Sequence, residues 1–169
     1  TGVLGTEPVM TGAQLPRFVP FAYCGSDGPV PWCELAIVDV DLGRVSERHH
    51  VIRSGELPGR TVREILNFSA ALNPEEQIGG FLQVSGVRFV IENGQAKEIF
   101  VGDAPLDDER VYSVALPDFL LVGGDGYSMI APATLERIDT GIVLTGLLVD
   151  HLRTHAVIDA KIEGRIIRR

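Results

Sequence analysis

One segment constrains the fold of this chain most, because it joins an apolar run to a cluster of glycines. Val111 to Leu121 is rich in apolar residues, which predicts a largely buried strand. Glycine permits backbone angles that other residues avoid and lets a neighbouring group approach the main chain closely. Three glycines follow the predicted strand: Gly123, Gly124 and Gly126. We therefore expect a turn there that a ligand can approach.

A carboxylate and two aromatic rings accompany this turn. Asp125 stands among the glycines, with Phe119 before them and Tyr127 after them. An aromatic face beside a fixed carboxylate suits a flat heterocycle that carries hydroxyl groups, such as a nucleoside. The alternative is a glycine-rich hairpin whose aspartate caps its own turn and whose tyrosine packs beneath it. Spacing alone favours this second interpretation.

Hydrophobic periodicity predicts an α+β fold, with a mostly antiparallel or mixed sheet and two helices. The two helical segments are Thr61–Leu72 and a segment capped by Asp139 or Thr140 that runs to about His155. Pro74 ends the first helix, because proline disfavours helix in the residue before it. In the second helix, Ile142 is expected on the inner face.

Strands are predicted where apolar or alternating runs are bounded by turn residues: Phe18–Tyr23, Cys33–Val40, Val45–Ile52, Phe81–Ile91, Lys97–Val101, Val111–Leu121 and Ile162–Ile167. The strand at 45–52 is expected to form a hairpin with the strand at 33–40. Asn93-Gly94 predicts a second, tight hairpin between the strands on either side of it.

The length, composition and net charge of the chain exclude some classes of protein. With 169 residues, of which 45% are hydrophobic, the chain can bury one sizeable core. No apolar run reaches the roughly 18 residues of a membrane span. The net charge of −8 argues against a nucleic-acid partner, since proteins that follow a phosphate backbone usually present a basic face. A phosphate site here needs a metal ion or a local arginine cluster.

The two cysteines, Cys24 and Cys33, flank a turn-rich stretch of glycine and proline. The sequence leaves both a disulfide and two reduced thiols open, and the pair alone is a poor zinc motif. The chain begins with Thr1, so we expect a processed chain or a fragment, in which a missing signal peptide says nothing about secretion.

No metal centre or catalytic nucleophile is predicted from the residues. His151 and His155 have the i, i+4 spacing of helical metal ligands, but no third ligand stands near them, and a solvated helix face is favoured. His49 and His50 are adjacent, so in a strand they point to opposite faces. The sequence contains no Gly-x-Ser-x-Gly elbow and no P-loop.

The segment Phe119-Leu-Leu-Val-Gly-Gly-Asp-Gly-Tyr127 resembles the signature of the 5'-nucleotidase C-terminal domain. Further segments resemble the family in the same order, and together they cover residues 50–167: Leu57–Leu66, Gly80–Phe89, Gly102–Tyr112 and Val149–Ile166. The resemblance places this domain at residues 54–169. Residues 33–46 resemble the closing hairpin of the family's metallophosphatase domain, which implies that residues 1–53 belong to the end of that domain.

The resemblance implies the nucleotide-recognition half of a two-domain, metal-dependent phosphoesterase. Phe119 would stack on the base, Asp125 would accept hydrogen bonds from the ribose, and Gly123, Gly124, Gly126 and Tyr127 would complete the binding site. Two divalent metal ions would lie in the partner metallophosphatase domain, since their ligand motifs are missing here. We therefore expect no bound cofactor and no hydrolysis by this chain alone. The resemblance favours a periplasmic or extracellular location.

Two departures from the family leave alternatives open, and the first is that the sequence lacks a Glu-x-x-x-Gly-Asn-like opening helix. The second is that the Pro-Phe-Gly-Asn-like segment that supplies a second stacking aromatic is missing, and the sequence leaves open whether a residue such as Tyr23 or Trp32 replaces it. The chain is then either a nucleotide-recognition domain, or a binding or structural module that kept only the fold. A third possibility is a relative that acts on cyclic nucleotides, UDP-sugars or sulfur esters. Arg53, Arg60 and Arg88 are candidates for phosphate contacts, although surface arginines are the favoured interpretation.

Overall fold

The computed structural model describes residues 35–38, 51–73, 80–154 and 162–169. These ranges contain nine strands and four α-helices, which confirms the α+β prediction. The strands are β1 Leu35–Val38, β2 Val51–Pro58, β3 Gln83–Ser85, β4 Val87–Glu92, β5 Gln95–Val101, β6 Ala104–Pro105, β7 Val111–Pro117, β8 Arg137–Val143 and β9 Ile166–Arg168. The helices are α1 Gly59–Ala71, α2 Asp118–Leu121, α3 Ile130–Ala133 and α4 Leu144–Thr154.

Five strands form one sheet in the order β3-β1-β7-β2-β8. Only the β1–β7 pair is parallel among the described pairs of this sheet. Most of the hairpin predicted between the strands at 33–40 and 45–52 lies outside the described residues; within them, β7 lies between β1 and β2. β7 ends in four consecutive buried residues, and such an apolar strand takes a central position rather than an edge. The division of the chain at residues 53 and 54 stays a prediction.

A second sheet has the order β6-β5-β4-β9. The Asn93-Gly94 hairpin is confirmed, since it joins β4 to β5 and pairs Glu92 with Gln95. Both turn residues have positive φ, 50° for Asn93 and 73° for Gly94, which is the combination that a type I′ turn requires. The last strand, predicted at 162–167, is β9, which pairs in parallel with β4.

The predicted strand at 81–91 is two strands in different sheets. β3 ends at Ser85 and β4 begins at Val87, and Gly86 between them has a φ of 74°. Glycine is suited to this left-handed conformation, which turns the chain from the five-stranded sheet into the four-stranded one. The apolar residues change phase at this point, from the even positions Leu82 and Val84 to the odd positions Val87 and Phe89, and the prediction of one continuous strand overlooked this change.

Helix α1 packs an apolar face against the core, as predicted. Its buried residues recur at helical spacing: Gly59, Thr61, Val62, Ile65, Leu66, Ser69 and Ala70. Two side chains of the helix also bind neighbouring main chain. The hydroxyl of Ser69 accepts a hydrogen bond from the Leu82 N–H at 3.0 Å, and the carbonyl of Asn67 accepts one from the Ala96 N–H at 2.8 Å. These contacts tie α1 to β5 and to the residue that precedes β3.

The second long helix begins later than predicted. Residues 137–143 form β8, which pairs with β2, and α4 starts at Leu144. Ile142 is therefore on a strand, and Asp139 accepts a hydrogen bond from Gly141 in a turn instead of capping the helix. A strand partner on β2 competes with helix formation here, and Gly141, with a φ of 66°, favours the bend. None of the helices in the described ranges is long and apolar enough to cross a membrane.

Candidate functional site

Phe119 lies on a short helix, not on the predicted strand. β7 ends at Pro117, and α2 begins at Asp118, whose carboxylate accepts a hydrogen bond from the Phe119 N–H at 2.8 Å. An aspartate in the first helical turn is favourable because it satisfies an N–H group there. The strand predicted at 111–121 is therefore too long, since an apolar run alone does not distinguish a buried strand from a helix.

The glycine cluster admits the ring of Phe119 rather than leaving an open turn. A Cβ atom built on Gly124 would lie 2.3 Å from the Phe119 ring, so any other residue there would displace the ring. Asp125 follows in a 3-10 turn with a φ of 51°, and its side chain is exposed. Gly123 and Gly126, with φ values of 93° and 89°, flank this turn. The ring and the carboxylate are thus held on consecutive turns of main chain.

Tyr127 lies beneath this turn, as the hairpin interpretation predicted. Its side chain is completely buried, and its hydroxyl donates a hydrogen bond to the Gly80 carbonyl at 2.7 Å. Its ring meets the edge of Phe68, with centroids 4.7 Å apart. A Cβ atom on Gly126 would lie 2.9 Å from the same Phe68 ring. Tyr127 therefore supports the turn and is not presented to a ligand.

Phe119 lines an open cleft of about 630 Å³. Among the described residues, the others along the cleft are four charged side chains and three apolar ones: Arg53, Asp118, Arg137, Asp139, Leu121, Val122 and Ile138. Asp125 is not one of these, and its Cβ lies 3.8 Å from the place where a Cβ on Gly80 would be. The cleft therefore contains the predicted stacking ring, and the predicted ribose-binding carboxylate lies outside it on the next turn.

Of the three arginines proposed for phosphate, only Arg53 lines this cleft. It forms an ion pair with Asp139 on β8. Arg60 lies 3.9 Å from Glu109 in an exposed pair, and the guanidinium of Arg88 lies 4.1 Å from the centre of the Phe100 ring. Sequence analysis did not identify Asp139 as a site residue. No local pattern indicated this pair, since the predicted strand ended at Ile52 and Asp139 was interpreted as a helix cap.

The pKa of the Asp139 carboxyl lies below its ordinary value. The hydrogen bond from the Gly141 N–H lowers it most, followed by the hydrogen bond from Arg53. A carboxyl whose pKa is lowered by folding stabilises the folded state at pH values above its pKa in the unfolded chain, near 3.9. This stabilisation is lost as the pH falls through the lower pKa of the folded state.

We therefore expect Asp139→Asn to have a lower thermal midpoint of unfolding than the original chain at pH 7. The difference between the two midpoints should disappear as the pH falls below about 4. The measurement is thermal unfolding between pH 7 and pH 2. Asp103→Asn, at an exposed turn position, is the control and should change little. An Asp139→Asn deficit that persists unchanged at pH 2 would show that the charge is not responsible.

Metal-ligating residues do not converge in the part of the chain that the structure describes. Within it, no group of three or more histidine, cysteine, aspartate or glutamate side chains has a suitable arrangement. His151 lies on α4. The other histidines, the cysteine pair and the candidate aromatics Tyr23 and Trp32 lie outside the described residues, as does the strand predicted at 18–23.

Comparison with known proteins gives a consistent result. The family model described as 5'-nucleotidase, C-terminal domain, matches residues 36–132. A 5'-nucleotidase-related protein of Glossina morsitans morsitans is 31% identical over 124 residues, covering 66% of this chain and 22% of that protein. A 5'-nucleotidase of Vibrio parahaemolyticus is 30% identical over 104 residues, covering 62% of this chain and 18% of that protein.

The fold is shared with solved structures. The crystal structure of a 5'-nucleotidase precursor from Thermus thermophilus matches with a TM-score of 0.67 at 26% identity, covering 80% of this chain and 31% of that one. The chain spans about a fifth of the length of the curated relatives and about a third of the solved chain. The family match covers more than half of the chain, so this chain belongs to the 5'-nucleotidase C-terminal domain family, as the resemblance of residues 119–127 predicted.

Proposed function

We propose that this chain recognises the nucleoside part of a nucleotide whose phosphate ester is hydrolysed by a separate metallophosphatase domain. The observation that carries the proposal is the fixed position of the Phe119 ring, which packs against Gly124 and lines an open cleft. A half-buried aromatic ring that borders a cleft offers a stacking surface for a base. Asp125 has an exposed carboxylate on the turn that follows, outside the cleft, and we propose that it accepts hydrogen bonds from the ribose hydroxyls of a nucleoside whose base stacks on Phe119.

The catalytic chemistry belongs to the proposed partner domain. The family comprises C-terminal domains of metal-dependent 5'-nucleotidases. We propose two divalent ions there, which would activate water and stabilise the charge that develops on the phosphate oxygens. The residues of this chain would bind the nucleoside and orient the ester, so that binding energy at the base holds the phosphate in place.

The experiment is calorimetric titration of the chain with adenosine, inosine and AMP. We expect dissociation constants between micromolar and millimolar. Phe119→Ala should weaken nucleoside binding by about ten-fold or more, since stacking contributes roughly 1–3 kcal/mol per base. Asp125→Asn should also weaken it by about ten-fold, because hydrogen bonds to a charged acceptor contribute about 1.5–3 kcal/mol.

Phe100→Ala is the matched control. Phe100 is also a half-buried aromatic residue, but it lies on β5 in the other sheet, so its removal should leave nucleoside affinity unchanged. Absence of binding at millimolar nucleoside would contradict the proposal and favour a module that keeps only the fold. Equal affinities of Phe119→Ala and the original chain would show that the cleft is not the base site.

A further inference from the structure

The ion pair of Arg53 and Asp139 stands in the same cleft as the Phe119 ring. The side chain of Arg53 is 28% exposed, so its guanidinium is partly sheltered from water, whereas that of Asp139 is 59% exposed. Hydrogen bonds in such a partly desolvated place discriminate better between ligands than bonds at a fully exposed surface. Arg53 therefore lines the same cleft as the ring of Phe119, where a charged group can meet the polar edge of a stacked ligand.

Asp139 orients Arg53. Its Oδ2 atom pairs with Nη1 of Arg53, and its Oδ1 atom accepts a hydrogen bond from the Gly141 N–H at 3.0 Å. Both carboxylate oxygens are thus engaged by the protein. The guanidinium has five N–H donors, and Asp139 is its one acceptor among the described residues. The group that remains to meet a ligand is therefore a planar set of donors.

The balance of charge in the cleft disfavours a phosphate there. Among the described lining residues, the charged ones are two arginines, Arg53 and Arg137, and two aspartates, Asp118 and Asp139. Arg137 also donates to the Ala131 carbonyl. A phosphate would approach two carboxylates as well as two guanidinium groups, whereas a neutral base meets no such repulsion. The cleft is therefore better suited to a base than to an anionic group.

We propose that Arg53 contacts the edge of the base and selects 6-oxopurines, the class of guanine and hypoxanthine, over adenine; this inference rests on the proposed nucleoside function of the same cleft. A 6-oxopurine presents two adjacent acceptors, O6 and N7, which match the parallel donors of an arginine. Adenine places an amino group where O6 would be, so one donor of Arg53 faces another donor. A site built from donors rejects a ligand that leaves one of them unpaired.

The test compares two nucleosides that differ at this edge, inosine and adenosine, by calorimetric titration of the same chain. We expect inosine to bind about ten-fold more tightly than adenosine, in line with the discrimination of a bidentate arginine contact. Arg53→Gln should remove most of this preference by weakening inosine binding, with adenosine binding changed little. Arg60→Gln, at the exposed pair with Glu109, is the matched control and should keep the preference.

Asp139→Asn tests the positioning role separately. Its carboxamide still accepts a hydrogen bond but no longer carries the charge that holds Arg53, so the inosine preference should shrink while adenosine affinity remains. A positional role predicts this change in selectivity, whereas a purely structural role predicts equal loss for both nucleosides.

The outcomes separate this inference from the function on which it rests. If both nucleosides bind, if Phe119→Ala weakens both, and if neither is preferred, the base-selection inference is wrong and the nucleoside function stands. A preference that survives Arg53→Gln also overturns the inference. If neither nucleoside binds at millimolar concentration, both proposals fail.

Discussion

Tyr127→Ala is expected to lower the free energy of unfolding by about 3–5 kcal/mol, the usual cost of removing a large buried aromatic side chain. The side chain of Tyr127 is completely buried, so truncation leaves a cavity beneath the 3-10 turn and removes the edge contact with Phe68. It also removes the hydroxyl that binds the Gly80 carbonyl. Urea unfolding, followed by fluorescence or circular dichroism, measures the change.

Tyr127→Phe separates the hydroxyl from the ring. This substitution leaves the Gly80 carbonyl without its donor, which should lower the free energy of unfolding by about 1–3 kcal/mol. Nucleoside binding should persist, because the side chain of Tyr127 is not presented to the ligand. Tyr112→Phe is the matched control for stability away from the site, since that buried hydroxyl accepts a hydrogen bond from the Asp107 N–H at 2.9 Å. If Tyr127→Phe abolishes binding while stability is unchanged, Tyr127 contacts the ligand after all.

Gly124→Ala is expected to abolish the stacking surface and to destabilise the chain by about 1–3 kcal/mol, the cost of overpacking. The new methyl group would lie 2.3 Å from the Phe119 ring, so the ring must leave its position. Gly124 itself does not have a positive φ, so the alanine backbone is not strained, and the effect comes from the clash alone. Nucleoside affinity should fall as far as it does in Phe119→Ala.

Gly146→Ala is the control for this substitution. Gly146 lies in α4, and a Cβ atom there meets no atom within 4 Å. Because alanine forms helix better than glycine by about 1 kcal/mol, this variant should be as stable as the original chain or slightly more so. If Gly124→Ala binds nucleosides normally, the ring does not need its place beside the glycine.

Local sequence patterns were sufficient to predict the parts of the fold that depend on a single segment of the chain. Helix α1 has a continuous apolar face and was predicted nearly to its ends. The Asn93-Gly94 turn was predicted because its backbone angles suit few other residues. The residues around the glycine cluster were identified for the same reason. Their family resemblance then indicated the domain, which the family match confirmed.

Features that depend on distant partners were not predicted. The strand predicted at 81–91 ran through Gly86, because the partners that place β3 and β4 in different sheets lie elsewhere in the chain. The apolar run after Val111 was taken as one strand, although Pro117 and Asp118 are typical of a helix start. The pair of Arg53 and Asp139 requires β2 and β8 to be adjacent, and no local pattern specifies that. The cleft could therefore be identified only from the tertiary structure.

The strand order has a consequence for how the chain acquires its structure during synthesis. β2 lies between β7 and β8, both of which follow it by long stretches of chain, and β1 lies between β3 and β7. While the ribosome is still producing residues 59–110, the edges of β2 have neither of their final neighbours. Contacts between such distant segments close large loops and form slowly. Until β7 emerges, the nascent chain exposes unpaired strand edges, which makes this the interval in which it is most open to aggregation.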